Sequence, residues 1–193
     1  MISRTTRSRG LQEALLIGLG AAGWACAPAD DANAAATQSE AGAEMEALKG
    51  YLVNAFERAK AWDLALTEAM PDSALHWAPS SDVRDFGAQI VHAANVGFIG
   101  NALFGEAGPQ LDEEVESKAA LTEGVANSYD WVITRLQAMP AGDLETEVDF
   151  FGGQVMPRWR VATFALEHAM WTRGQVVPYL HAHGAEIPQN QLF

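Results

Sequence analysis

The sequence predicts an all-α protein, an up-down four-helix bundle with one long connection between its third and fourth helices. Three observations predict it. Apolar residues recur at intervals of three and four through four separate stretches, the spacing of a helix that buries one face. Proline or glycine stands at the end of each stretch, where a helix has to stop. The one segment that reads as extended, around residues 148–155, has room for no more than two short strands.

The first helix is expected over residues 44–70, with Leu48, Leu52, Ala55, Phe56, Ala59, Trp62 and Leu66 on its inner side and Pro71-Asp72 as its stop. A loop over residues 72–82 carries Leu75, Trp77 and Pro79. The second helix is expected over residues 83–104, with Ala88, His92, Val96, Ile99 and Leu103 facing inward and Gly105 as its C-cap. The third, over residues 118–139, is marked by Leu121, Val125, Ser128, Val132, Arg135 and Leu136 and ends at Pro140. In the connection that follows, Glu147-Val148-Asp149-Phe150-Phe151-Gly152-Gly153 predicts a short extended or hairpin excursion. The fourth helix is expected over residues 158–183, opened by Pro157 and closed by Gly184, with a bend where Pro178 removes a backbone donor and frees the carbonyl of Gly174.

Ahead of the bundle the chain changes character. Residues 1–25 carry Arg4, Arg7 and Arg9 against Glu13, and an apolar run follows, from Ala14 to Ala27. That run is short of the roughly 20 apolar residues of a membrane span and has the flanks of an export signal. Gly23 and Ala25 are small enough for cleavage before Cys26, which would then open a mature lipoprotein. Ordinary cleavage after Ala25 or after Ala32-Asn33-Ala34 is the alternative. Residues 26–43 lack a periodic apolar face and read as a flexible tether, which leaves residues 44–188 as the folded domain. The expected location is therefore outside the cytoplasm, periplasmic or lipid-anchored.

The net charge is −13, and the leader's +2 leaves −15 on the rest. Such a body repels phosphate backbones, and no basic aromatic stripe offsets it, so nucleic acid is excluded as a partner. The expected partners are a small-molecule ligand and a second copy of the chain, with a membrane reached only through the signal or a lipid anchor. Cys26 is the single cysteine, which excludes an internal disulfide and a thiolate metal cluster. No G-x-S-x-G elbow, P-loop or C-x-x-C occurs. The acidic run Asp112-Glu113-Glu114 with Glu116 reads as a solvated loop, since it lacks a calcium-loop pattern.

Several strings in residues 44–188 are distinctive together: Leu75-His76-Trp77-Ala78-Pro79, Val83-Arg84-Asp85-Phe86-Gly87, His92, Phe150 with Gly152, and a closing Arg173-Gly174-Gln175 followed by Tyr179-Leu180, Gly184 and Pro188. They resemble the DinB-like (YfiT-like) family of four-helix proteins. The resemblance implies a site between the second and fourth helices, where family members often hold a divalent metal with three histidines. One comes from the second helix and two from an H-x-x-x-H-R-G-Q stretch on the last. His92 and His168 match two of those positions, and Thr172 stands at the third. The family includes thiol-dependent transferases, isomerases and members of unassigned activity, and the name implies no DNA polymerase.

The residues support that carry-over for His92, which sits on an apolar face where an imidazole needs a partner. They support it also for His168, which shares a helical face with Phe164, Thr172 and Gln175. A threonine hydroxyl is a poor ligand for Zn²⁺, Ni²⁺ or Fe²⁺. Two readings stay open. In one, His92 and His168 are a hydrogen-bonded core pair at a degenerate metal site, and the protein binds a ligand or serves an accessory role without a metal. In the other they hold a divalent ion, Zn, Ni or Fe, in a hydrolase or a thiol-dependent transferase. Glu167 and Asn95 point about 100° away from their neighbouring histidines and complete neither set. Gln175 is expected to hydrogen-bond within the bundle. His181 and His183 are expected as an exposed pair in the last helical turn, His76 in a loop, and Trp62, Trp77, Trp131, Trp159 and Trp171 as core or groove walls.

Overall fold

The computed structural model describes residues 29–189, with side chains from residue 37 onward. Four helical columns form the bundle. Helix α1 (Ala29–Ala69) is the first and α4 (Lys118–Ala138) the third. The second column is α2 (Phe86–Ala94), a 3₁₀ turn over Val96–Ile99, and α3 (Gly100–Phe104). The fourth is α5 (Arg158–Gly174) followed by α6 (Val177–Ala182). α1 packs chiefly on α4, and α2 on α5. Between α4 and α5 lies an antiparallel hairpin, β1 (Glu147–Phe150) with β2 (Gln154–Pro157), in the register Glu147↔Pro157 to Phe150↔Gln154. Its tip, Phe151-Gly152-Gly153, turns through three positive φ angles of 23°, 70° and 82°. The two glycines adopt that region without the Cβ clash that opposes it elsewhere.

The expected inner faces are those that pack. Leu52, Phe56 and Leu66 of α1 are fully buried, with Phe86 and Ile90 of α2, Val125, Val132 and Leu136 of α4, and Val161 and Ala165 of α5. Ser128 is buried too, and its hydroxyl donates to the Ala94 carbonyl at 2.7 Å, which ties α4 to the end of α2. Caps set two starts as their residue types dictate. The Asp85 carboxylate accepts from the Ala88 N–H at 2.8 Å and the Ser117 hydroxyl from the Ala120 N–H at 3.2 Å.

The structure departs from the sequence reading in three places. The segment read as a tether is helical from Ala29, because alanine, the strongest helix former, extends a helix nucleated by its docked part without needing an apolar face. The leader and Cys26 lie outside the described residues. The second helix is not continuous: it starts at Phe86 and breaks at Asn95 (φ −75°, ψ 54°). The break lets the chain over residues 106–110 press onto the 3₁₀ turn, where a Cβ at Gly97 would collide with the Pro109 carbonyl and one at Gly100 would come within 2.6 Å of the Glu106 carbonyl. In the fourth column the turn falls at Gln175-Val176, and Pro178 sits in the first turn of α6, where its missing N–H leaves no bond unmade.

One polar cluster crosses the core. Asp63 of α1, fully buried, accepts from Arg173 Nε at 2.6 Å and from the Tyr129 hydroxyl at 2.6 Å. The Arg173 guanidinium also donates to the Ala59 carbonyl at 3.3 Å. Burial alone would depress the Arg173 pKa, but the Asp63 carboxylate reverses that and raises it. Burial and the same carboxylate push the Tyr129 phenol well up. A charged Arg173 and a neutral Tyr129, both bonded to Asp63, therefore join α1, α4 and α5 at one level.

Candidate functional site

α2 carries His92 in its last turn and α5 carries His168 at mid-length, and the packing of these two helices brings the rings edge to face, 5.0 Å between centroids at 76°. Both rings are half-buried. Burial lowers the His92 pKa, helped by the positive charge of Arg84 and by His168 and opposed by Glu113. Burial likewise lowers the His168 pKa, against a hydrogen bond that the ring donates to the His92 backbone carbonyl. Both rings are thus neutral near pH 7, with a nitrogen lone pair available to each.

Two layers surround the pair. On the polar side Glu113 Oε1 lies 3.7 Å from His92 Nδ1 and accepts from Arg84 Nε at 3.2 Å. The Arg84 carbonyl is held by the Tyr179 hydroxyl at 2.8 Å. One turn before His92, Gln89 reaches across to α5: its Nε2 donates to the Thr172 carbonyl at 3.3 Å and to Gln175 Oε1 at 3.1 Å. Arg84, Gln89, Glu113, Gln175 and Tyr179 line a cavity of about 670 Å³. On the apolar side Phe98 lies edge to face with His168, 5.7 Å between ring centroids, and stacks on Phe151 of the hairpin tip at 5.9 Å, with Phe164 completing the wall.

The structure brings His92 and His168 together and buries Thr172 one turn further along α5. Gln175 hydrogen-bonds within the bundle. Glu167 is exposed and pairs with Arg160 at 3.5 Å, and the Asn95 carboxamide faces the Leu111 N–H at 3.5 Å, so neither reaches the histidines. His76 is exposed beside Asp85, at 3.3 Å, and His181 is exposed. His183 is not: its ring packs on Trp77 at 4.6 Å, because α6 folds back over the 72–82 loop. Trp171 is no wall, being 76% exposed, since its position on α5 faces outward.

Glu113, Arg84 and Gln89 escape sequence reasoning as site residues. Glu113 reads as part of a solvated acidic loop, and only the return of that loop to α2 gives it a role. Gln89 carries a signal that a helix wheel holds, one turn from His92 on the same face.

Two imidazoles on a tetrahedral ion, with bonds of about 2.1 Å, would hold their ring centres roughly 5 Å apart, and the pair has that separation. The donor set is what falls short. Among the described residues no three His, Cys, Asp or Glu side chains converge on one ion position. The residues present therefore do not fit a three-ligand centre.

Protonating either ring should cost folding stability. Both folded pKa values lie below the ordinary histidine value of 6.5, so below about that pH the unfolded chain binds more protons than the folded one. Stability should fall as pH drops from 6.5 through the lowered values and then stop falling on account of these groups. Urea titrations between pH 7.5 and 5 should show this loss, and it should shrink in His92→Gln and His168→Gln. Ring NMR titrations with midpoints at or above 6.5 would contradict it.

Comparison with known proteins agrees with this architecture. No functionally curated protein matches. A DinB-like protein from Bacillus cereus ATCC 10987 is similar in structure at a TM-score of 0.63 and 20% identity, over 72% of this chain and 94% of that one. A DinB-like protein from Bacillus subtilis (YjoA) is similar at a TM-score of 0.58 and 16% identity, over 73% and 98%. These likenesses speak for the fold. The family model described as the DinB superfamily matches residues 55–176, from the middle of α1 to the turn after α5, and so takes in both histidines, Thr172 and the Arg173 anchor. This chain belongs to the DinB superfamily.

Proposed function

We propose that this is a ligand-binding member of the superfamily, in which the site between α2 and α5 takes a small polar molecule by hydrogen bonds, without a resident metal centre. The observation that carries the reading is the third ligand position. Thr172 stands there, and the adjoining space is spanned by Gln89, whose amide bonds α2 directly to α5. What remains is a pair of neutral imidazoles with phenylalanine rings on one side and, reached through Glu113 at 3.7 Å from His92, a cavity lined by the Arg84–Glu113 pair and the Gln89 and Gln175 carboxamides. A molecule with both hydrogen-bond donors and acceptors and a short apolar part fits it. The role is binding or accessory, at the cell envelope if the leader acts as its sequence suggests; none of the described helices is long and apolar enough to cross a membrane.

The test is elemental analysis of purified protein, followed by a thermal-shift screen of small polar metabolite classes. The expected result is metal well below one ion per chain, and a hit whose stabilisation is lost in both His168→Ala and Arg84→Ala. One tightly held zinc, nickel or iron per chain would overturn the reading. It would favour the second one, a metal-dependent hydrolase or thiol-dependent transferase on His92 and His168, which the separation of the two rings supports. That second reading expects His168→Ala to lose metal and activity together.

A further inference from the structure

On the side of α5 turned away from the histidines, a groove of about 480 Å³ runs between α5 and α1. Its depth comes from α1, which presents Ala55, Ala59 and Ala65 there, side chains too short to reach α5. Tyr51, Trp62, Leu166 and Met170 form its walls. Tyr51 and Met170 stay 61% and 58% exposed, an apolar surface the bundle itself leaves uncovered. The volume lies within the range of roughly 300–1,000 Å³ in which proteins hold small ligands.

Two polar features give the groove a chemical preference. Arg58 lines it from α1 and is exposed, with no carboxylate partner among the described residues, whereas Lys49 and Lys60 on the same helix are paired with Glu46 and Asp130 at 3.0 and 2.6 Å. Its helical neighbours Asn54, Ala55, Ala61 and Trp62 carry no acid. In a chain of net charge −13 an uncommitted cation beside an apolar trough is a local exception. Trp62 Nε1 is buried in the groove wall with no hydrogen-bond partner. Arg173, the other cation of the groove, already has its charge met by the Asp63 carboxylate through Nε and Nη2.

We infer that this groove is a second binding site, for a small amphipathic monoanion: an apolar chain or ring lying along Trp62, Leu166 and Met170, with its carboxylate on Arg58. The site is independent of the cleft, since the residues that line the groove and those that line the cavity beside His92 do not overlap and α5 separates the two. The apolar body supplies most of the affinity by leaving water, and Arg58 supplies the sign preference.

The probe is decanoate, kept below the concentration at which it self-associates, with decanol as its uncharged match. Isothermal titration calorimetry on the purified protein should show one decanoate per chain. Arg58→Ala should weaken it about tenfold or more, the scale of losing one charged hydrogen bond, and Arg58→Lys should recover most of the loss. Decanol should bind about as weakly as decanoate does to Arg58→Ala. Ala55→Phe, which fills the trough, should remove binding while its thermal midpoint stays near the parent's. His168→Ala should leave binding unchanged, which separates this site from the cleft. Equal affinity for decanol and decanoate, no effect of Arg58→Ala, or loss of binding in His168→Ala with Ala55→Phe unaffected would each overturn the inference.

Discussion

Replacing Asp63 with alanine should destabilise the bundle by about 3–5 kcal/mol, the scale of removing one partner from a buried ion pair. The reason is what it leaves behind. Arg173 is buried, its Nε has Asp63 at 2.6 Å and its hydrogen bonds to other residues go to the Ala59 carbonyl and the Tyr129 hydroxyl, neither of which carries a neutralising charge. A guanidinium cannot shed its proton to escape, since its pKa lies far above neutrality even when buried. Tyr129 loses its acceptor at the same time. For a domain of this size the loss corresponds to a fall in Tm of roughly 10 °C. Urea denaturation should show it, and the triple change Asp63→Leu, Tyr129→Phe, Arg173→Met should recover much of it, because an apolar set of similar volume leaves no charge unpaired. A cost below about 1 kcal/mol for Asp63→Ala would mean that the cluster is incidental to the fold.

Thr172→His should create a metal site. Positions 168 and 172 lie one turn apart on α5, so a histidine at the second would face the same side as the first, with His92 already 5.0 Å from His168 between ring centres. Three imidazoles then surround one position with room left for a water, the usual composition of a zinc site that remains open. In zinc at a hundredfold over its dissociation constant, native-state binding should add about 2.7 kcal/mol to the unfolding free energy. Without zinc the variant should be about 1–3 kcal/mol less stable than the parent, because Thr172 is buried and a larger ring overfills its place. Equilibrium dialysis with elemental analysis decides the matter. A variant that folds and takes up no more zinc than Thr172→Ala would sink the argument that the backbone still presents the inherited geometry.

Much of this structure is legible along the chain, and the exceptions have a common cause. The bundle is readable because each column carries its own apolar stripe and its own stop, both local. The pairing of His92 with His168 is legible only through the closing Arg173-Gly174-Gln175 string and what it resembles, since nothing local says which helices meet. The break at Asn95 is set by a backbone contact with the 106–110 segment, which no periodicity carries. Asp63 sits beside Trp62 in an apolar run, and its burial makes sense only with Arg173, 110 residues away. Glu113 belongs to an acidic run whose composition is that of a solvated loop, and it acquires a role only where that loop returns to α2. The helical turns before residue 44 fail the amphipathic test and succeed on propensity alone.

The close approach of Gly97 and the Pro109 segment has a consequence for how such sites diverge. The strand of chain that delivers Glu113 to His92 rests, a few residues earlier, on bare backbone: a side chain at Gly97 or at Gly108 would push the two segments apart. The one carboxylate placed to oppose the lowering of the His92 pKa is therefore held in position by residues that possess no ionisable group and never touch the ring. Lineages that keep both histidines but lose either glycine would retain the two imidazoles while losing the carboxylate that favours the charged form of His92. Substitution at those two glycines is thus a route by which one scaffold could change its chemistry without altering a single polar residue of the site.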